Sequence, residues 1–241
     1  MQLLISVLID TGLALLGYLL GSIPFGLIIV KLKTGKDIRA VESGRTGGTN
    51  AMRAAGLPAG LLTALLDVLK GAAAVWIAQA VVPNDHWAHI LAPIGAILGH
   101  NYSAYLPEYD ENRRFIRLRG GAGGAPALGG ALGLWPPSLL MILPLGAAVF
   151  FGLGYASLTT ISVGFFALLI FGIRAYLGMP DASWIDALYG LIAAALLMWA
   201  LRPNIQKLLS GTERVVSISL HGRLKTKQEQ RDAGDAVDDV E

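Results

Sequence analysis

From Gly123 to Tyr176 the chain is almost continuously apolar, with Arg174 as its only charge. No single element can carry such a stretch: a helix crosses the roughly 30 Å hydrocarbon core of a bilayer with about 20 apolar residues, and an open strand would leave backbone groups unpaired in lipid. The stretch must therefore be divided at its own breakers. Trp135-Pro136-Pro137 and Gly152-Leu153-Gly154 are the natural cuts, predicting spans at about 123–134, 137–153 and 157–176. Four more apolar runs lie outside it, at about 3–30 (interrupted by Gly21-Ser22-Ile23-Pro24), 59–82, 87–105 and 184–201. Composition agrees, with 54% hydrophobic and 15% charged residues, where a soluble domain carries about a quarter charged. The expected fold is an all-α polytopic membrane protein of about seven transmembrane helices. The first run lacks the basic start and small-residue cleavage site of a signal peptide, so it reads as a retained span.

Lysine and arginine orient these spans. Lys31, Lys33, Lys36, Arg39, Arg45 and Arg53 fall in one connection; Arg113, Arg114, Arg117 and Arg119 in another; seven follow from Arg202 onward, Lys70 lies within a span, and the remaining connections carry only Arg174. Cytoplasmic loops carry the excess of Lys and Arg, so all three basic segments are expected in the cytoplasm, the N-terminus outside and the C-terminus cytoplasmic. Residues 1–214 then form the transmembrane domain, and 215–241 a polar cytoplasmic tail, expected to be disordered, whose basic half suits anionic headgroups. With no cysteine, disulfide frameworks, zinc–thiolate sites and thiolate nucleophiles are excluded.

Two glycine-rich segments occupy the expected cytoplasmic connections. "SGRTGGTNAMRAAG" (43–56) combines glycines that can turn backbone N–H groups inward with Ser43, Thr49 and Asn50 as neutral donors and Arg53 as a fork for phosphate oxygens. An ordinary polar loop explains the same residues equally well. "RLRGGAGGAPALGG" (117–130) leads from arginines straight into an apolar span, where backbone donors and a helix N-terminus suit an anion; close helix packing on small residues is its other reading. It is no P-loop, since no Gly-Lys-Ser/Thr follows. "ALRPNIQKLLSGTE" (200–213) reads as an interfacial helix. Within the spans, Asp67 and Lys70 stand three apart, close enough to pair, and ionisable residues in lipid are candidate functional sites. His100 and Asn101 close the third span, and a histidine there is more often structural than catalytic.

Taken in order, these segments resemble the bacterial integral-membrane acyl-phosphate:glycerol-3-phosphate acyltransferase family over about residues 15–214. Gly21-Ser-Ile-Pro-Phe-Gly26 matches its first-span signature. Ser43, Gly44, Gly47, Thr49, Asn50 and Arg53 match the pattern S-G-N-x-G-A-T-N-x-x-R, with "DVLKGA", "GHNYS", "YASLTTIS" and "PNIQKLLSGTE" following as further family-like segments. Three positions depart: Arg45 stands for the loop asparagine, Ala122 for the second lysine of K-G-G-K-G-V-A-T, and Leu201 for the histidine of H-x-x-N-I, while Asn204 remains. The resemblance implies a seven-helix enzyme of the bacterial inner membrane, its active site facing the cytoplasm, that moves a fatty acyl group from acyl phosphate to the 1-hydroxyl of glycerol 3-phosphate. It implies Ser43, Ser157 and Asn204 as catalytic residues, and Gly44, Arg45, Thr49, Asn50, Arg53, Arg119, Gly120, Gly121 and Gly123 as substrate-binding ones. It further implies no cofactor or metal, no nucleic acid, the lipid bilayer and both substrates as partners, and a monomer. The alternative is a degenerate paralogue that binds lipid phosphates without turnover. A transporter using Asp67 and Lys70 has little support, since the sequence shows no inverted repeat.

Overall fold

The computed structural model describes residues 1–216 and 219–224. The elements follow in order: α1 (Gln2–Ser22), α2 (Phe25–Thr34), a 3-10 turn (Ile38–Ala40), α3 (Gly48–Ala55), α4 (Leu57–Val81), α5 (His86–Asn101), β1 (Pro107–Tyr109), β2 (Phe115–Leu118), α6 (Gly124–Leu134), α7 (Pro137–Leu153), α8 (Ala156–Tyr176), α9 (Trp184–Ala200) and α10 (Arg202–Leu209).

The boundaries have local causes. Pro24 has no N–H to offer and separates α1 from α2, so the first span is a broken one covering Gln2–Thr34. Asp85 caps α5 by accepting from the Trp87 and Ala88 N–H groups, and Ser183 with Asp186 forms a reciprocal capping box on α9. Gly154 ends α7 in the left-handed conformation, φ 76°. The α1/α2 unit, α4 and α8 are each long and apolar enough to cross a membrane, and α9 bends by 70° into α10. Large apolar side chains face outward, among them Leu61, Leu65, Leu140 and Leu169, while the interior is dominated by Ala, Gly and Ile. An inside-out distribution of this kind belongs to a protein embedded in lipid.

Three elements differ from the sequence expectation. The expected fourth span is α6, an 11-residue helix that rises about 16 Å, roughly half the hydrocarbon core. It is buried from Pro126 to Ala131, and irregular backbone before a half-length helix is tolerated at membrane depth only inside protein. The segment 43–56 holds a helix, α3, in place of a continuous loop. Its glycines serve close approach: a Cβ on Gly48 would lie 2.8 Å from the Gly60 carbonyl oxygen of α4, and one on Gly60 would meet Met52. Thirdly, the lengthened connection before α6 is a hairpin, with Pro107 paired to Leu118, Glu108 to Arg117 and Tyr109 to Phe115.

Helices α1 and α5 approach through two Gly-x-x-x-Gly pairs. Gly17 and Gly21 face the Ala92 and Ala96 backbone, and Gly95 and Gly99 face the Ala14 and Tyr18 carbonyls. Without a hydrophobic drive between helices in lipid, this backbone contact is what holds them. Gly95→Val is expected to lower the thermal midpoint of the detergent-solubilised protein, by a destabilisation of about 1–3 kcal/mol, whereas Gly12→Val, which meets open space, leaves it unchanged.

Candidate active site

A cavity of about 590 Å³ opens where three helices begin. Gly47, Gly48 and Thr49 at the start of α3, Gly123, Gly124 and Ala125 at the start of α6, and Ala156 and Ser157 at the start of α8 all line it. The first N–H groups of any helix have no carbonyl one turn earlier to bond, and the macrodipole adds partial positive charge there. Three such ends on one cavity make a strong anion site before any side chain is counted. Arg45, Arg53, Lys207 and Arg214 add cationic groups to the wall, against Glu42, Asp67 and Glu213.

The loop ahead of α3 is held by one side chain. Asn50 Nδ2 donates to the carbonyls of Ile38, Val41 and Arg45 at 3.2, 3.0 and 2.8 Å, gathering the turn over the start of its own helix. The Thr46 N–H donates to the Gly120 carbonyl at 3.2 Å, which ties the two glycine-rich segments together. Arg45 reaches across to the Ala200 carbonyl at 3.0 Å, linking this loop to the end of α9. At the rim, Asn204 Nδ2 donates to Glu213 Oε1 at 3.1 Å and Arg214 pairs with Glu42 at 3.3 Å. The Val216 N–H donates to the Gly154 carbonyl at 2.8 Å, so residues 211–216 lie beside the cavity. The start of the expected free tail is thus packed; its residues 217–218 and 225–241 lie outside the described residues.

Of the sequence-expected residues, Ser43, Arg45, Thr49, Asn50, Arg53, Gly123, Ser157 and Asn204 line this cavity. Ser157 is buried and its Oγ has no hydrogen-bond partner among the described residues. Arg53 has no ion pair among the described residues. Ala122 and Leu201, which replace a family lysine and histidine, line it as well.

Four expected residues do not. Gly44 is outside the wall, and Gly120 and Gly121 are spent on architecture: the Gly121 N–H donates to the His100 carbonyl at 2.8 Å, and a Cβ on Gly121 would run into the His100 ring. Arg119 turns away to Glu108, bonding it through Nε at 2.9 Å and Nη2 at 2.7 Å. With Arg117 also on that carboxylate, hydrogen bonding from Arg119 and then Arg117 pulls the Glu108 carboxyl down to about 2. The glycines of this segment that line the cavity are therefore Gly123, which the motif reading included, and Gly124, which it did not.

The site also holds chemistry that the motifs did not assign to it. Asp67 and His100 line the cavity, and buried Lys70 joins them, 2.7 Å from Asp67 Oδ1 and 2.9 Å from His100 Nδ1. The three-residue spacing of Asp67 and Lys70 on an apolar helix was the available signal; nothing local brings His100, thirty residues later, to the same place.

Known proteins carry the same plan. Residues 11–211 match the family model described as glycerol-3-phosphate acyltransferase. Curated glycerol-3-phosphate acyltransferases of Thermus thermophilus and Rhodopseudomonas palustris are 38% and 36% identical, over 83% and 82% of this chain and 92% and 91% of their own. The crystal structure of PlsY, an integral membrane glycerol 3-phosphate acyltransferase, in its glycerol 3-phosphate form superposes with a TM-score of 0.70 at 31% identity, covering 86% of this chain and 94% of that one.

The Asn50 clip generates a structural expectation. The Ile38 and Val41 carbonyls keep backbone donors from Val41 and Gly44, while the Arg45 carbonyl loses the shortest of the three contacts, so Asn50→Ala should destabilise the protein by about 1–3 kcal/mol. Limited proteolysis should show faster cleavage within residues 41–47, with the remaining spans intact.

Proposed function

Because the chain belongs to the glycerol-3-phosphate acyltransferase family, we propose that it transfers a fatty acyl group from acyl phosphate to the 1-hydroxyl of glycerol 3-phosphate, giving lysophosphatidic acid and phosphate. The observation that carries this reading is the meeting of three helix starts and four cationic side chains on one cavity at the end of an apolar bundle. Acyl phosphate is a mixed anhydride and already activated, so the protein needs neither a covalent intermediate nor a cofactor. Its task is to hold two mutually repelling phosphates in line, with donors fixed in advance.

The start of α3, with Ser43, Thr49 and Arg53, supports binding of glycerol 3-phosphate. The start of α6 at Gly123 and Gly124, across the same cavity, supports binding of the acyl phosphate headgroup. Asn50 supports the first of these by shaping the loop. Ser157 and Asn204 stand on the facing wall to orient substrate oxygens, and Arg45, anchored on the Ala200 carbonyl, supplies positive charge near Ala122. The apolar outer surface between helices is where the acyl chain would lie.

The same reading makes seven membrane-embedded segments of α1/α2, α4, α5, α6, α7, α8 and α9, with the N-terminus outside and the cavity facing the cytoplasm of a bacterial cell. The clustering of Lys and Arg in the segments that border the cavity supports that orientation. Residues 1–214 make the catalytic unit, which works as a monomer, and 215–241 a cytoplasmic tail.

The purified protein, given palmitoyl phosphate and glycerol 3-phosphate, is expected to release inorganic phosphate only when both are present; a degenerate binder would release none. Arg53→Ala should raise the KM for glycerol 3-phosphate about tenfold or more, as expected for loss of a charged contact of roughly 1.5–3 kcal/mol, and an unchanged KM would remove Arg53 from the site. Ala122→Lys should raise kcat/KM several-fold in the same assay. A neutral result would show that Arg45 already fills that electrostatic role.

A further inference from the structure

Three carboxylates stand on the wall of a cavity otherwise suited to anions, and each needs a counter-charge if the site is to favour a phosphate. Asp67 lies 2.7 Å from Lys70, and Glu213 accepts from Asn204 and sits in the field of Arg45. Glu42 is held differently. Its one side-chain partner among the described residues is Arg214, whose Nη1 stands 3.3 and 3.5 Å from the two carboxylate oxygens. The other arginine–carboxylate pairs among the described residues close to 2.6–2.7 Å. Both side chains face water, 71% exposed for Arg214 and 49% for Glu42, and a loose pair of this kind contributes little to stability.

The backbone nevertheless fixes both partners at the cavity mouth. The Gly44 N–H donates to the Val41 carbonyl at 2.9 Å, closing a turn with Glu42 and Ser43 at its tip. Glu42 holds φ 45° there, in the left-handed region that a residue with a Cβ enters only at a cost. Arg214 is pinned from two sides. The Thr212 and Glu213 N–H groups donate to the Lys207 carbonyl of α10 at 2.8 and 3.1 Å, and the Val216 N–H donates to the Gly154 carbonyl ahead of α8 at 2.8 Å. The guanidinium is thus delivered beside Ser43 and the start of α3, although Arg214 follows the last family-like segment and belongs to no motif.

We infer that Arg214 is a binding residue for the phosphate of glycerol 3-phosphate, and that Glu42 holds it as an exchangeable counter-charge until that phosphate arrives; the inference rests on the acyltransferase reading above. A phosphate monoester dianion carries twice the charge of Glu42 and presents paired oxygens to the guanidinium fork. It is also met by the free N–H groups at the start of α3, which Glu42 does not engage. Arg214 therefore passes from the carboxylate to the phosphate, and the released Glu42 turns to water. Glu42 lowers affinity in this scheme, because the substrate must displace it.

The test titrates glycerol 3-phosphate calorimetrically into purified full-length wild type, Arg214→Gln, Glu42→Gln and the double variant, and measures the KM for palmitoyl phosphate by phosphate release. Arg214→Gln should raise the Kd about tenfold, the loss of one charged hydrogen bond. Glu42→Gln should lower it about threefold, the range of an exposed ion pair. The double variant should remain weaker than wild type, and the KM for palmitoyl phosphate should not move in any of them. Weaker binding in both single variants would overturn the inference, since a pair that only shapes the loop loses the same support whichever partner is removed. An unchanged Kd in either single variant would overturn it too, as would a change confined to the KM for palmitoyl phosphate. Wild type that binds glycerol 3-phosphate but releases no phosphate would overturn the acyltransferase reading alone, leaving the Kd values to decide this inference; wild type that binds none would overturn both.

Discussion

Backbone N–H groups at helix starts are the donors that a pocket bordered by lipid can carry without burying a cation, and this architecture depends on bringing three such starts together. Helices α3, α6 and α8 begin on the same cavity. Each start offers several unpaired N–H groups and partial positive charge at no further desolvation cost, because those groups have no helical partner in any conformation. The arginines and lysine on the wall supplement a field that the backbone has already set. This explains how the site can lack the second lysine of the glycine motif, where Ala122 stands, and still favour anions.

The rest of the fold is arranged to keep those three starts in place. A short α6 ends inside the bundle, where Pro126 to Ala131 are buried, so its first turn lies at the cavity and its far end is covered by protein. The α1–α5 contact through Gly17, Gly21, Gly95 and Gly99 lets the backbones touch, which fixes α5 and, through the His100 carbonyl bonded by Gly121, the chain leading into α6. Asn50 performs the same service for α3 by tying three carbonyls of the preceding loop. Much of the glycine-rich sequence is therefore structural, and the cavity-lining part is narrower than the motif.

That narrowing marks where the sequence was legible and where it was not. Helix boundaries were readable because apolar runs and prolines act locally: the expected cuts at 135–137 and 152–154 are the ends of α6 and α7. Membership of the cavity was readable for Ser43, Thr49, Arg53, Ser157 and Asn204, since each sits in a motif with fixed spacing. The direction of a long side chain was not. Arg119 belongs to the right segment, yet Glu108 in the unforeseen hairpin draws its guanidinium away, and an ion pair eleven residues apart across a hairpin turn has no periodicity to announce it. Helix α3 was hidden for a related reason: glycine and asparagine lower helix propensity, and only packing against Gly60 of α4 explains why Gly48 opens a helix there.

Sequence alone determined that this chain is a membrane protein of apolar helices, roughly where those helices begin and end, and that two glycine-rich segments lie among its basic connections, because hydrophobicity, proline and charge act over a few neighbouring residues. Tertiary structure decided that the two segments share one cavity, that Gly120, Gly121 and Arg119 hold it together from outside, and that Asp67, Lys70 and His100 meet beside it. Those outcomes depend on how α4, α5 and α6 pack across distances no local pattern spans, and only packing determines which donors are consumed by the scaffold and which are left to face a ligand.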